Sequence, residues 1–309
     1  MTSAESAPLL RRKRARHDPS GFTLTFLNPQ LLRNLIEVVA GVLTETAVQV
    51  VVKDDFEGIL IENLDVRGVC VVIAQLACKV TMNDRESRPR FTLPVETFLI
   101  ALKQVLSHYT LEISMQADEA DIMLTSLDTA CSASLDVGGK IVTMTKLTTL
   151  HAPVEQVEFD TMTYAFTIQI KKNDLYSIVK SAKDYSANHI TMSVYQQTVD
   201  DVVHIMYCLS CQGTSASSDY YFHSKVEQGV IKVETDDDAT AGQLEFDESH
   251  LMLREMFNVQ YILTFLKAMD HKMITLRLSK SKPLIVIYGL GAEDSFAMFI
   301  LGGKTDESA

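Results

Sequence analysis

The chain repeats itself, and this duplication limits the folds open to it more than any other feature. Phe22 to Phe26 alternate apolar and polar side chains as a strand does, and Leu32, Leu35, Ile36, Val39 and Leu43 then recur at helical spacing. In the second half Phe166 to Ile170 alternate the same way, and Leu175, Ile178, Val179, Ala182 and Tyr185 repeat the helical stripe. A second pair matches more closely: Phe98, Leu99, Leu102 and Lys103 stand to their neighbours as Ile262, Leu263, Leu266 and Lys267 do to theirs. Each of these later helices leads into a predicted hairpin, Leu111 to Met115 with Asp121 to Thr125, and Ile274 to Leu278 with Pro283 to Tyr288. Further strand signals lie at Val48 to Val52, Gly58 to Ile61, Gly68 to Leu76, His189 to Val194 and His204 to Leu209. Leu32 and Leu175 are 143 residues apart, and Lys103 and Lys267 are 164 apart. Periods this long mean duplicated domains, not a solenoid.

The fold class is therefore α+β, with two tandem similar domains of many strands and two helices each. The predicted divisions are a basic tail over 1–21, a first domain over 22–137, a connector over 138–160, a second domain over 161–304 and an acidic tail over 305–309. The connector assignment rests on Gly138, Gly139, Pro153 and a Thr-rich, weakly periodic composition.

Charge is unevenly placed. The 309 residues carry 28 Lys and Arg against 40 Asp and Glu, a formal −12. Arg11, Arg12, Lys13, Arg14 and Arg16 all fall in the tail, which has no helical or strand period and reads as disordered. This run is a candidate nuclear-import signal or phosphate-binding arm. No apolar run approaches the ~18 residues that span a bilayer, and the first twenty residues lack a signal-peptide core, so neither membrane insertion nor secretion is expected. Five cysteines read as free thiols.

If each helix buries its apolar stripe, the opposite stripe faces outward. That stripe holds Gln30, Arg33 and Glu37 on the first helix, and Glu96, Ile100, Lys103 and Ser107 on the second. On the third it holds Tyr176, Lys180 and Lys183, and on the fourth Gln260, Thr264, Lys267 and His271. These faces are mildly basic within a strongly acidic chain, which suits a polyanion bound through its phosphates.

Catalytic chemistry finds no foothold. Cys208 and Cys211 form the only CxxC, but the surrounding alternation is that of a strand, where i and i+3 point to opposite faces. No HExxH, GxSxG, P-loop or GxGxxG is present. Gly289 and Gly291 have no helix after them to cradle phosphate, and Glu234 to Asp238 reads as an exposed acidic loop, not a calcium site. No catalytic residue, metal or cofactor is expected. An enzyme whose site is assembled from scattered residues is the alternative from another class.

Several segments resemble the proliferating cell nuclear antigen (PCNA) family of DNA sliding clamps. Residues 31–47 (LLRNLIEVVAGVLTETA) are similar to the family's first helix, and 62–72 (ENLDVRGVCVV) to a strand and loop in which the family writes Met-Asp-Ser-Ser-His-Val. Residues 150–156 (LHAPVEQ) resemble its interdomain connector. The closest block is YILTFLKAM (261–269), SKPLIVIYGL (281–290) and AMFILGGK (297–304), followed by a short acidic tail. The resemblance covers about residues 22–304 and excludes the basic tail.

It implies the DNA clamp fold, with β-sheets outside and two helices per domain inside, and a non-enzymatic, sequence-independent grip on double-stranded DNA. It implies a head-to-tail homotrimer, edges pairing through Cys131 to Val137 and Ser217 to Lys225, a clamp loader, nuclear location, and recruitment of DNA polymerase and repair proteins through short peptides. Channel cations would be Arg33, Lys103, Lys172, Lys180, Lys183, Lys267, His271 and Lys272. Asn34, Ala40, Ile100 and Ser177 stand where the family commonly has Lys or Arg, so the lining would be weaker than usual and the basic tail would partly compensate. The partner-peptide pocket would comprise Leu64, Val69, Leu150, Ala152, Pro153, Tyr164, Pro283, Ile300 and Gly302. Gly68 stands in place of the family's His, and Ile300 in place of a frequent Tyr. Within the same fold, a subunit of a heterotrimeric checkpoint clamp and a viral processivity factor that does not close a ring are the alternatives.

Overall fold

The structure, a computed structural model, describes residues 21–53, 55–116, 119–128, 140–150, 163–199, 201–227, 229–233, 247–267, 272–291 and 294–303. It forms two compact units, Met1–Met162 with Leu290–Phe296, and Thr163–Gly289 with Ala297–Ala309.

The first unit runs β1 (Phe22–Phe26), α1 (Pro29–Ala40), β2 (Glu45–Lys53), β3 (Phe56–Leu64), β4 (Cys70–Ala77), β5 (Lys79–Met82), β6 (Arg90–Pro94), α2 (Val95–Lys103), β7 (Thr110–Met115), β8 (Asp121–Asp128) and β9 (Lys140–Thr148). The second runs β10 (Phe166–Lys171), α3 (Lys172–Asp184), β11 (His189–Val199), β12 (Val202–Gln212), β13 (Ser217–Glu227), β14 (Val230–Val233), β15 (Leu251–Asn258), α4 (Val259–Lys267), β16 (Met273–Leu278), β17 (Leu284–Gly289) and β18 (Phe296–Leu301), the last begun by a residue of the first unit. The order is the same twice: strand, helix, five strands, helix, three strands.

Pairing repeats too. β1 lies beside β7 as β10 lies beside β16, β2 beside β3 and β6 as β11 beside β12 and β15. One difference separates the units. β5 pairs antiparallel with β1, leaving the five-stranded sheet β5-β1-β7-β8-β9 distinct from β4-β3-β2-β6. In the second unit β14 turns back on the end of β13 and runs parallel to β10, so its strands join in one sheet.

The helices form where local and tertiary preferences agree. The Asn28 side chain caps α1 by accepting from the Gln30 amide at 3.2 Å, and Pro29 occupies the first turn, where its missing N–H costs nothing. Asn258 caps α4 likewise, accepting from Gln260 at 2.9 Å. Glu96 opens and Lys103 closes α2, each matching the helix dipole. Leu32, Leu35, Ile36 and Val39 of α1 are fully buried, as are Leu175, Val179 and Ala182 of α3, and each large side chain among them stabilises its unit by about 2 kcal/mol. Within the first unit α1 packs on α2, and within the second α3 packs on α4.

The segment expected as a connector begins differently. Lys140–Thr148 is β9, paired with β8 along its whole length, and Leu150 makes a bridge to Thr92. Its composition hid it: it turns Thr143, Thr145 and Leu147 inward and leaves Ile141, Val142 and Met144 exposed, so apolar and polar side chains do not sort by face. The rest of the expected connector, and the tails 1–20 and 305–309, lie outside the described residues.

Each unit is also tied together by contacts between distant parts of the chain. Gly213, in the turn between β12 and β13, sits so close to the end of α3 that a Cβ there would come within 1.9 Å of the Tyr185 carbonyl oxygen. Ser215 donates its hydroxyl to that same oxygen at 3.1 Å. In the first unit, Leu290–Phe296 completes the fold from far along the chain: the Ser295 hydroxyl accepts from the Ala77 amide at 3.0 Å, and the Gln75 side chain donates to the Asp294 carbonyl at 3.0 Å.

Candidate nucleic-acid interface

The helices bury one face in each unit and turn the other to solvent. On α3 the outward positions include Tyr176, Ser177, Lys180 and Lys183, with both lysines exposed. Lys267 ends α4 and is exposed, as is Lys272 just beyond. The Lys172 amide donates to the Lys272 carbonyl at 2.8 Å, which brings the lead-in to β16 beside the first residue of α3. Lys180, Lys183, Lys267 and Lys272 have no carboxylate partner among the described residues. His271 lies outside those residues.

This arrangement follows the helix dipole at Asp174 and Lys183 but not elsewhere. Lys172 places a cation in the first turn of α3, where the macrodipole repels it. Lys180 and Lys183 are i, i+3 neighbours of like charge, a pairing that costs a few tenths of a kcal/mol.

The first unit's helix face is different. Arg33 is half-buried and bonded to Glu37 at 3.2 Å, and Gln30 donates to Asn34 at 2.5 Å. On α2, Glu96 and Lys103 are both exposed, and between them Ile100 is 61% exposed.

No protein-family model matches the sequence, and no curated protein matches it either. Solved structures do. The crystal structure of PCNA from Thermococcus kodakaraensis superposes with a TM-score of 0.67 at 16% identity, over 92% of this chain and 100% of that one. Proliferating Cellular Nuclear Antigen from Entamoeba histolytica gives 0.69 at 15% identity, over 92% and 99%.

The chain has the PCNA sliding-clamp fold.

Among the described residues of this clamp fold, β5, β6, β9 and β15 end their sheets and part of β13 is also unpaired; the β9 and β13 edges bear on assembly. β9 ends the first unit's five-stranded sheet, with Ile141, Val142 and Met144 exposed along it. β13 pairs with β12 along Ser217–Ser224 but with β14 only from Ser224 onward, so the stretch before Ser224 has one unpaired edge. The expected first-unit edge, Cys131 to Val137, lies outside the described residues, and β9 holds the edge position. Alternation of β-branched residues over Ile141, Thr143 and Thr145 was the signal available for it.

The residues expected to bind partner peptides divide between the units. In the first, Leu64 and Leu150 are half-buried and Val69 is 38% exposed. The loop from Asp65 to Cys70 is built by one carboxylate: Asp65, itself buried, accepts from the Val69 amide at 2.7 Å and the Cys70 amide at 2.9 Å. Gly68 turns it at φ +70°, and Val66 is left 85% exposed at the tip. Val66 was not anticipated as a surface feature. In the second unit the Tyr164 hydroxyl donates to the Pro283 carbonyl at 3.1 Å, and the Lys282 ammonium stands 5.8 Å from the Tyr164 ring. Burial pushes the Tyr164 phenol above its ordinary pKa, while Arg277 pulls it back. Gly302 is exposed, but Ile300 is only 7% exposed and belongs to its unit's core. Its strand composition predicts as much, because Phe296 to Leu301 is apolar on both faces. Ala152 and Pro153 lie outside the described residues, as do Arg11, Arg12, Lys13, Arg14 and Arg16.

Cys208 and Cys211 are both buried on β12 but serve different neighbours. The Cys208 thiol lies 3.4 Å from the Ser210 hydroxyl and packs with Tyr195 and Met206, while Cys211 donates to the Ser218 carbonyl at 3.6 Å.

Proposed function

We propose that the protein is a DNA sliding clamp: a ring of copies of this chain, joined head to tail, that encloses duplex DNA and tethers DNA polymerase and other DNA-working proteins to it. It acts as a scaffold and carries out no chemistry of its own. The observation that carries this reading is the lysine-bearing helix layer on a clamp fold whose chain as a whole is strongly acidic. A molecule of net charge −12 is not held on DNA by bulk attraction, but a closed ring needs only weak local contact to stay threaded and slide.

The ring itself is supported by the unpaired edges of β9 on one unit and of β13 on the other, which carry different side chains. Pairing β9 of one copy with β13 of the next is a heterologous contact that closes when the rotation per subunit allows it. Three copies are the expected number. Light scattering should then give a mass near three times 34.4 kDa. A monomer that assembles only with other chains would favour the heterotrimeric form. Partner peptides would dock beside the Asp65–Cys70 loop and Leu150, and the basic run Arg11 to Arg16 suits nuclear import.

The decisive experiment loads the protein onto circular nicked DNA with a clamp loader and then cuts the circle. Release on linearisation is expected. Retention on the cut DNA would mean ordinary binding and would remove the clamp reading.

A further inference from the structure

We infer that contact with the DNA backbone is confined to the second unit of each subunit, through α3, α4 and Lys272, while the first unit's helices face the duplex without an available cation cluster. This rests on the clamp reading for its ligand, the phosphate backbone of a duplex.

The two helix pairs have the same architecture but different charge: α1 and α2 carry two cations and two acids, α3 and α4 four lysines and two acids. On α1 the single cation, Arg33, is bonded to Glu37 on the next turn, which neutralises it locally. On α2, Glu96, Ile100 and Lys103 form one outward stripe, with Lys103 its one lysine, exposed and without an ion pair among the described residues, and Glu96 its one acid seven positions before. On α3 and α4, Lys180, Lys183 and Lys267 stand exposed, with Lys272 alongside and none of the four ion-paired among the described residues. The acids of α3 are Asp174 in its first turn and Asp184 in its last; Asp184 follows Lys180 by four positions, but no ion pair joins them among the described residues. Fixed ammonium groups release counterions from DNA, whereas an arginine already paired with carboxylate releases few. The first unit therefore offers Gln30, Asn34, Thr97 and Ile100 with Lys103 as its one exposed helix cation, a surface that attracts little. Each subunit grips through one domain and glides past with the other.

The test measures affinity for a short linear duplex by fluorescence anisotropy over a range of salt, using the whole protein. Lys180→Gln with Lys183→Gln should flatten the dependence of log affinity on log salt by ~0.9 for each phosphate that is no longer neutralised. Lys103→Gln and Arg33→Gln should leave the slope within error of the parent. Ile100→Lys should steepen it, since it adds the missing cation to an exposed position. All these side chains lie on the helix surfaces, so thermal melting is expected to show each variant folded. The inference is overturned if Lys103→Gln or Arg33→Gln flattens the slope as much as the α3 pair, or if the α3 pair changes nothing. Failure of the clamp reading looks different: the parent protein would remain on linearised circles while the slopes still divided by unit.

Discussion

Single atoms in the core already set measurable quantities. Tyr207 is fully buried on β12, stacked beside Phe222, and its hydroxyl has no hydrogen-bond partner among the described residues. A buried hydroxyl without a partner keeps its desolvation cost and returns nothing. Tyr207→Phe should therefore be neutral or stabilise the protein by about 1 kcal/mol, read as a shift in the urea midpoint. Asp65 is the opposite case, a buried carboxylate whose two amide partners would be orphaned. Asp65→Ala should cost about 2–3 kcal/mol and loosen the Val66 tip, seen as faster amide exchange at Val69 and Cys70. Cys78 lends a pH handle. Burial, and then the nearby Glu57 carboxylate, push its thiol up to about 12. The folded state thus holds this proton through a range, from about pH 9 upward, in which the unfolded chain has given it up, so stability falls as pH rises from 9 towards 12. Alkylation of Cys78 by iodoacetamide at pH 8 should be much slower in the native protein than in urea, because little thiolate is present.

At the scale of elements, the β12–β13 turn fixes the end of the lysine-bearing helix. Gly213 admits the Tyr185 carbonyl where any side chain would collide with backbone, and Ser215 bonds that carbonyl. Gly213→Ala should cost several kcal/mol, of the order expected for a backbone clash, and should speed exchange of the amides at Tyr185 and Ala187. The open edges can be tested as well: Ile141→Glu together with Met144→Glu on β9 should lower the mass in solution to that of one chain while leaving the melting temperature of the monomer close to that of the parent. An unchanged mass would exclude β9 from the contact. Elements also differ in how far their sequence betrays them. The four helices and the hairpins after α2 and α4 were legible because each buries one stripe, so Leu32, Leu35 and Ile36 announce their period. β9 and β14 were not, since edge or short pairing strands bury too little to impose one. The lysines of α3 and α4 were legible as an outward stripe. The engagement of Arg33 by Glu37 is also implicit in their spacing, because i and i+4 face each other on a helix, and Ile100 stood on the outward stripe by spacing alone; it was the Asp65 carboxylate bonding Val69 and Cys70 that required the fold.

Over the whole molecule, net charge and local charge act in opposite directions. Without residues 1–20 the chain carries 23 Lys and Arg against 38 Asp and Glu, a formal −15. Removing that segment should weaken retention on DNA at low salt and reduce its salt dependence, whereas an unchanged dependence would assign the basic run to import alone. The chain's path between units has a separate outcome. The stretch Leu290–Phe296, with the Ser295 hydroxyl that holds Ala77 and the Asp294 carbonyl that holds Gln75, is synthesised only after every helix of the second unit. The earlier unit to leave the ribosome is therefore the one that must wait, its sheet margin unfinished until Leu290–Phe296 has been made. A chain stalled before Leu290 would leave that unit without its closing stretch and the other without β18.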